Sequence, residues 1–274
     1  MKYEAIALDL DGTLTNSRKE VSPRTKKAVI AAAKNGCAVI LATGRPVPGV
    51  KKIARDLELK KYGGYILSYN GGEIWSCGRG EAIRRTTVDV AHYHTICHIA
   101  RKYNVTAMTY DKKGVITENP DDPYVIKEAA INNIPIRRVD RLDMEAANDP
   151  VMKFLIVGDP KDLKAPYEEI GRKLKGAVNA FFSEPYFLEI TPNGIEKAAA
   201  LGVLLEEIGI EPERLIACGD GYNDIPMLQF AGLSVAMENA YDEVKEFGDV
   251  IADTNDQDGV AKIIEKYILH TLKS

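Results

Sequence analysis

Apolar and polar positions fall into two textures along this chain. In the first, short fully apolar runs alternate with longer amphipathic stretches. Ala5-Ile6-Ala7-Leu8 is uniformly apolar and stops at polar residues, which predicts a strand buried on both faces. Ser22-Pro23 supplies an N-cap and a first-turn proline, and Asn35-Gly36 a stop, so a helix is predicted between them. Residues 37–42 read as a second buried strand, and a helix follows Thr43-Gly44-Arg45-Pro46 to about residue 59. A third strand at 65–69 ends at Asn70-Gly71-Gly72. Such alternation predicts a parallel sheet with right-handed crossovers.

From about Ile83 the texture changes. A helix near 90–103 leads into strand 105–110, the turn Asp111-Lys112-Lys113-Gly114 and strand 115–118, a hairpin signal foreign to a purely parallel sheet. Helices near 124–132 and 163–175 and strands near 151–157, 178–182 and 186–190 complete an α+β stretch. After Pro192-Asn193-Gly194 the first texture resumes, with helices at 195–208, 224–231 and 241–247 and strands at 215–218, 233–236 and 250–251. The last helix, 259–269, has Asp256 or Asp258 as its cap. The expected organisation is an α/β core of residues 1–82 plus 191–274, split by an inserted domain at 83–190.

Length and charge narrow the functional classes. The 274 residues suffice for two cores, and a net charge of −4 gives no reason to expect nucleic acid or an anionic membrane as partner. No apolar run approaches the roughly 18 residues of a membrane helix, and no secretory pattern opens the chain. Cys37, Cys77, Cys97 and Cys218 form no C-x-x-C pair and suit buried thiols in a reducing compartment. A cytoplasmic protein, monomeric or weakly self-associating, is expected.

Four core segments place polar residues at a strand end or a helix start. Asp9 and Asp11 stand at i and i+2 of an extended run and point the same way. The pair fits either a site for a hard divalent cation or a plain Asp-Gly turn. The others are Thr43-Gly44-Arg45, Lys197 and Gly219-Asp220-Gly221-Tyr222-Asn223-Asp224. Singly, these fit a strand-to-helix turn, a surface lysine and a helix cap. Three of the four follow strands, and ligands of open α/β sheets bind at the strands' carboxyl ends. The inventory suits phosphoryl transfer. Asp9 can attack as nucleophile and form an aspartyl-phosphate, and Asp11 can act as acid and base. Asp220, supported by Asp224, can complete a Mg²⁺ site with Asp9 and Asp11. Thr43, the Gly44 amide and Lys197 can hold phosphate oxygens.

In this order the segments resemble the motifs of the haloacid dehalogenase-like superfamily, and within it the Cof-type sugar-phosphatase branch. The matching stretches are DLDGTL from Asp9, ATGR ending at Arg45, the lysine of ITPNGIEKAAAL at Lys197, and GDGYND from Gly219. The resemblance implies a Rossmann-like parallel-sheet core with an inserted two-layer α+β cap that closes over the substrate and sets specificity. It implies Asp9 as nucleophile and Mg²⁺ ligand, Asp11 as acid/base, Asp220 as metal ligand and Asp224 in support. Leu10 would make contact through its backbone, and Thr43, Gly44, Lys197 and Asn223 would bind phosphate. Asn70 and Arg45 are candidate substrate contacts, Asn70 also fitting a simple Asn-Gly turn. Ala198 stands where relatives often have glycine, which is expected to touch helix packing more than chemistry.

His92, His94 and His98 include an i, i+4 pair but lack a further ligand nearby, so they read as an ordinary helix face. Tyr110, Phe181, Phe182, Tyr222 and Phe230 read as packing. The expected activity is Mg²⁺-dependent hydrolysis of small phosphorylated metabolites, sugar phosphates foremost. The alternatives are a sugar phosphomutase and a non-catalytic phosphoacceptor module, while Asp11 and the acidic cluster disfavour a haloalkanoate dehalogenase.

Overall fold

The computed structural model describes residues 2–269 and divides into two units, residues up to Arg84 with those from Glu196 on, and Arg85–Ile195. In chain order the strands of the first unit begin with β1 (Ala5–Leu8), β2 (Ala38–Ala42), β3 (Tyr65–Ser68), β4 (Glu73–Ser76) and β5 (Glu81–Arg85). The insertion supplies β6 (Thr106–Tyr110), β7 (Val115–Thr117), β8 (Ile136–Arg138), β9 (Phe154–Val157), β10 (Val178–Glu184) and β11 (Phe187–Pro192). The chain then returns with β12 (Leu215–Gly219), β13 (Leu233–Met237) and β14 (Val250–Ala252).

The first unit's eight strands run in the order β14-β13-β12-β1-β2-β3-β4-β5, parallel from β14 to β3, with β4 antiparallel on β3. Both faces are covered, as continuous apolar strands demand. Ile6, Leu8, Val39, Leu41, Ile216 and Cys218 feed one core cluster, and their neighbours Ala5, Ala7, Ile40, Ala42, Leu215 and Ala217 the other. Helix Pro23–Lys34 lays Ala28, Val29 and Ala32 on the first face, and helix Lys197–Ile208 lays Leu201, Leu204 and Leu205 on the second. Ser22 caps the former by accepting the Thr25 amide at 3.1 Å, and Asn35 closes it before Gly36 at φ +89°. β1 lies between β12 and β2, where the direction of winding reverses and a crevice opens at the strands' carboxyl ends.

The inserted unit is a six-stranded sheet ordered β10-β11-β9-β6-β7-β8, antiparallel except for the pair β7–β8. The predicted β6–β7 hairpin forms, its turn held by the Asp111 carboxylate accepting the Lys113 and Gly114 amides at 2.7 and 2.9 Å. Helices Tyr93–Lys102, Leu142–Ala146 and Pro160–Lys173 bury Ile96, Ile99, Leu142, Leu163 and Ile170 against Phe154, Ile156, Leu188 and Ile190. The fold is thus α/β, a Rossmann-like parallel-sheet core carrying an inserted α+β unit.

Several elements depart from expectation. β5, β8 and the helix Leu142–Ala146 are short and rich in charged residues, and β4 has only four residues, so neither period is readable there. The helix expected to reach about residue 59 stops at Asp56, and Glu58 at φ 56° separates it from a single turn, Leu59–Tyr62. Asp258 holds the N-cap position of the last helix, Gly259–Ile264, its carbonyl accepting the Lys262 amide at 3.2 Å, but its side chain makes no cap bond to the helix. Asp258 sits at φ 60° and accepts from Ser22 and Thr25 instead, while Asp256 accepts the Ser17 amide at 2.8 Å. All four cysteines are buried and free. Among the described residues no helix is long and apolar enough to cross a membrane.

The inserted unit carries a pH-dependent anchor. Buried Glu169 receives Lys102 at 2.5 Å, Lys173 at 2.9 Å and Tyr103 at 2.7 Å, and these bonds, Lys102 first, hold its carboxyl down to about 2 from the usual 4.5. The folded value is the lower one, so the stabilisation is complete above pH 4.5 and is lost as pH falls toward 2. Thermal melting followed by circular dichroism should therefore weaken more steeply across that window in the wild type than in E169Q; equal slopes would contradict the assignment.

Candidate active site

Lys197 opens helix Lys197–Ile208, yet its side chain is fully buried rather than solvated. Its ammonium lies 2.6 Å from Asp9 Oδ1 and 2.6 Å from Asp224 Oδ1. Asp9 follows directly on β1, its amide donating to Cys218 O at 3.0 Å, which fixes it beside the end of β12. Asp224 turns its other oxygen back to the amides of Asp220 and Gly221, both at 2.9 Å. Gly219 permits this, since a β-carbon there would stand 2.4 Å from that of Asp224. Burial works against the Lys197 charge, but Asp9 and Asp224 outweigh it and hold the ammonium above its ordinary value. Burial pushes the Asp9 carboxyl up to about 8 even against Lys197, with Asp224 and Asp220 adding to the rise.

Asp220 closes the group. Its Oδ1 accepts the Thr13 hydroxyl at 2.7 Å, and its carboxylate lies over Gly12, where a β-carbon would meet Oδ2 at 2.2 Å and φ is +87°. Burial foremost pushes its carboxyl up to about 6. Ligand oxygens of Asp9, Asp220 and Asp224 all lie within 4.8 Å of one another. Three carboxylates around one ammonium leave negative charge in surplus, and the donors are all oxygen, with no His or Cys among them. That donor chemistry fits a hard divalent cation.

Asp11 stands apart from this group. Arg45 grips it in a fork, Nε to Oδ2 at 2.8 Å and Nη2 to Oδ1 at 2.6 Å, and Lys19 adds a bond at 2.8 Å. Burial opposes its charge, but Arg45 and then Lys19 outweigh it and hold the carboxyl below the usual range. Thr43, buried at the end of β2, accepts the Arg45 amide at 3.2 Å. Gly44 packs on the Asn70 side chain, whose Oδ1 accepts from Asn223 Nδ2 at 3.1 Å. Asn70 itself sits at φ 56° with its amide on Thr43 O at 2.9 Å. Leu10 is buried, and its carbonyl accepts the Thr15 amide and hydroxyl at 2.8 and 2.7 Å. All the polar segments named from the sequence therefore gather at the carboxyl ends of β1, β2, β3 and β12. Ala198 leaves Lys197 buried in place.

Some contacts carried no readable signal. Thr13 lay inside DLDGTL without a role, the Arg45–Asp11 fork spans 34 residues of sequence, and Asn239 reaches Gly12 O at 2.8 Å from beyond β13. Of the decoys, His94 bonds Asp143 at 3.0 Å and stacks on His98, and it belongs to no metal-binding group among the described residues. Tyr222 is not core packing; it is 53% exposed and stacks on Tyr241.

The haloacid dehalogenase-like hydrolase family matches residues 6–264, and the chain belongs to it, in its Cof-type branch. It is a hydrolase of the phosphatase class. A Bacillus subtilis protein named 5-amino-6-(5-phospho-D-ribitylamino)uracil phosphatase is 32% identical over 268 residues, 96% of this chain and 95% of its own length. A solved haloacid dehalogenase-like hydrolase of Bacteroides thetaiotaomicron superposes with TM-score 0.93 at 46% identity, covering 97% of this chain and 99% of that one. A Thermotoga maritima structure superposes with TM-score 0.87 at 29% identity, over 96% and 97% of the two chains.

Replacing Lys197 by methionine leaves Asp9 and Asp224 buried face to face without a counter-charge. Urea unfolding at neutral pH should show K197M destabilised by about 3–5 kcal/mol, the usual cost of removing one partner of a buried pair. A loss under about 1 kcal/mol would mean that the ammonium is not needed to hold the two carboxylates together.

Proposed function

We propose that this chain hydrolyses phosphate monoesters of small metabolites, sugar and polyol phosphates foremost, with Mg²⁺ and through an aspartyl-phosphate on Asp9. The observation that carries the proposal is the buried Lys197 ammonium bonded to Asp9 Oδ1 and Asp224 Oδ1 beside the Asp220 carboxylate. The relative from Bacillus subtilis is named for a phosphoribityl substrate, a primary phosphate on a polyol chain, which supports the substrate class.

Asp9, Asp220 and Asp224 would hold the cation, Asp224 through its place in the carboxylate group, with Asp11 as a further candidate ligand. When bound, Mg²⁺ supplies positive charge to the phosphoryl oxygens and offsets the site's surplus of carboxylates. Lys197 fixes Oδ1 of Asp9, which leaves Oδ2 to attack phosphorus. The new bond is Asp9 O–P, and the bond broken is P–O to the leaving alcohol, whose oxygen takes its proton from Asp11. A water then attacks the phosphorus, gives its proton to Asp11, and releases inorganic phosphate with Asp9 restored. For this Asp11 must leave Arg45 and Lys19, which hold it ionised, take up a proton from solvent and meet the ester oxygen, so Arg45 is freed for the substrate. Thr43, the Gly44 amide, the Leu10 backbone and Asn223 would bind the remaining phosphate oxygens, with Asn70 keeping Asn223 oriented.

A panel of phosphorylated metabolites, assayed for free phosphate with Mg²⁺ and ranked by kcat/KM, tests the proposal. Sugar and polyol monophosphates should lead the ranking, and D9N should lose on the order of 10⁴-fold or more in turnover. Undiminished activity in D9N would sink the nucleophile assignment. Isomer formation without phosphate release would point to a mutase.

A further inference from the structure

The turn that carries Asp9 and Asp11 is held from outside by two asparagines that belong to none of the motifs named above. Asn239, two residues past β13, donates from Nδ2 to the Gly12 carbonyl at 2.8 Å, and its Oδ1 accepts the Asn255 amide at 2.9 Å. Asn255 donates from its own Nδ2 to the Thr15 carbonyl at 2.9 Å. The anchor is itself fixed, since the amides of Glu238 and Ala240 bond Ala252 O and Met237 O, both at 2.9 Å. Two carbonyls on either side of Thr13 are thus clamped from the β13–β14 side of the sheet.

The clamp acts where small shifts count. The peptide whose carbonyl Asn239 holds leads into Thr13, and the Thr13 hydroxyl holds Asp220 Oδ1 at 2.7 Å. Gly12 itself lies under the Asp220 carboxylate, close enough that a β-carbon would reach Oδ2 at 2.2 Å. A displacement of residue 12 therefore moves Asp220 against Asp9 and re-aims Asp11, one residue before. Asn239 is exposed, and a hydrogen bond open to solvent adds little to folding. A misplacement of about 1 Å at a reacting group, by contrast, can cost roughly 10²-fold in rate.

We propose that Asn239 and Asn255 are positioning residues that fix the backbone of residues 12–15, and through it the mutual placement of Asp9, Asp11 and Asp220. The proposal rests on Asp9 being the nucleophile.

The test uses the full chain with Mg²⁺ and p-nitrophenyl phosphate, comparing N239A, N239D, N255A, the double variant N239A/N255A and D9N with the wild type. Each asparagine variant should lower kcat by about 10–100-fold. KM and inhibition by inorganic phosphate should stay within about threefold, and Tm within a few degrees. N239D matches the shape but turns an acceptor toward Gly12 O, so it should be at least as impaired as N239A. The double variant should be no worse than the worse single one, because the bonds form one network. Wild-type kcat in N239A and N239D beside an inactive D9N overturns this proposal alone. So does a kcat loss that merely follows a fall in Tm. An active D9N sinks the nucleophile assignment and this proposal with it.

Discussion

The buried ammonium of Lys197 is the constraint on which the site's architecture depends. A cation removed from water costs several kcal/mol unless carboxylates meet it at close range. Lys197 meets two, one 188 residues away in sequence and one 27 away. The start of helix Lys197–Ile208, the end of β1 and the loop after β12 must therefore converge on one point. The parallel sheet supplies that convergence, because β1 and β12 are neighbours and both deliver their carboxyl ends to the switch point. Glycines at 12 and 219 then let backbone and carboxylates approach more closely than any β-carbon allows.

The same arrangement leaves the site electrically incomplete. Three carboxylates share one ammonium, and burial pushes Asp9 and Asp220 upward in consequence. Asp11 is treated oppositely, gripped by Arg45 and Lys19 and held below the ordinary range. The shifts of Asp9 and Asp11 both run opposite to the roles proposed for the two groups. Those roles therefore require Asp11 to leave Arg45 and Lys19 and take up a proton, and Asp9 to give up its proton as positive charge meets the carboxylate cluster.

Much of this was legible beforehand because strand ends announce themselves. Asp9, Thr43 and Asp220 each follow an apolar run, and period and turn residues placed β1, β2, β3, β12 and β13 within a residue or two. Lys197 was legible as a polar residue at a helix start and gained weight by resemblance, but its burial was not, since nothing local marks a helix-start lysine as buried. The Arg45–Asp11 fork, the Thr13–Asp220 bond and the Asn239 clamp join residues 34, 207 and 227 apart, and pairings of that range leave no trace in local pattern. β4, β5 and β8 escaped for another reason: five residues or fewer, with charges on them, satisfy no period.

The central claim is that Asp9, one of the two carboxylates bonded to Lys197, becomes covalently phosphorylated during turnover. Acid quenching during the first turnover of a good substrate, followed by peptide mass spectrometry, tests it directly. The account predicts a phosphoryl adduct on the peptide containing Asp9 that vanishes in D9N. A phosphoryl group on another residue, or turnover with no adduct at any quench time, would contradict it.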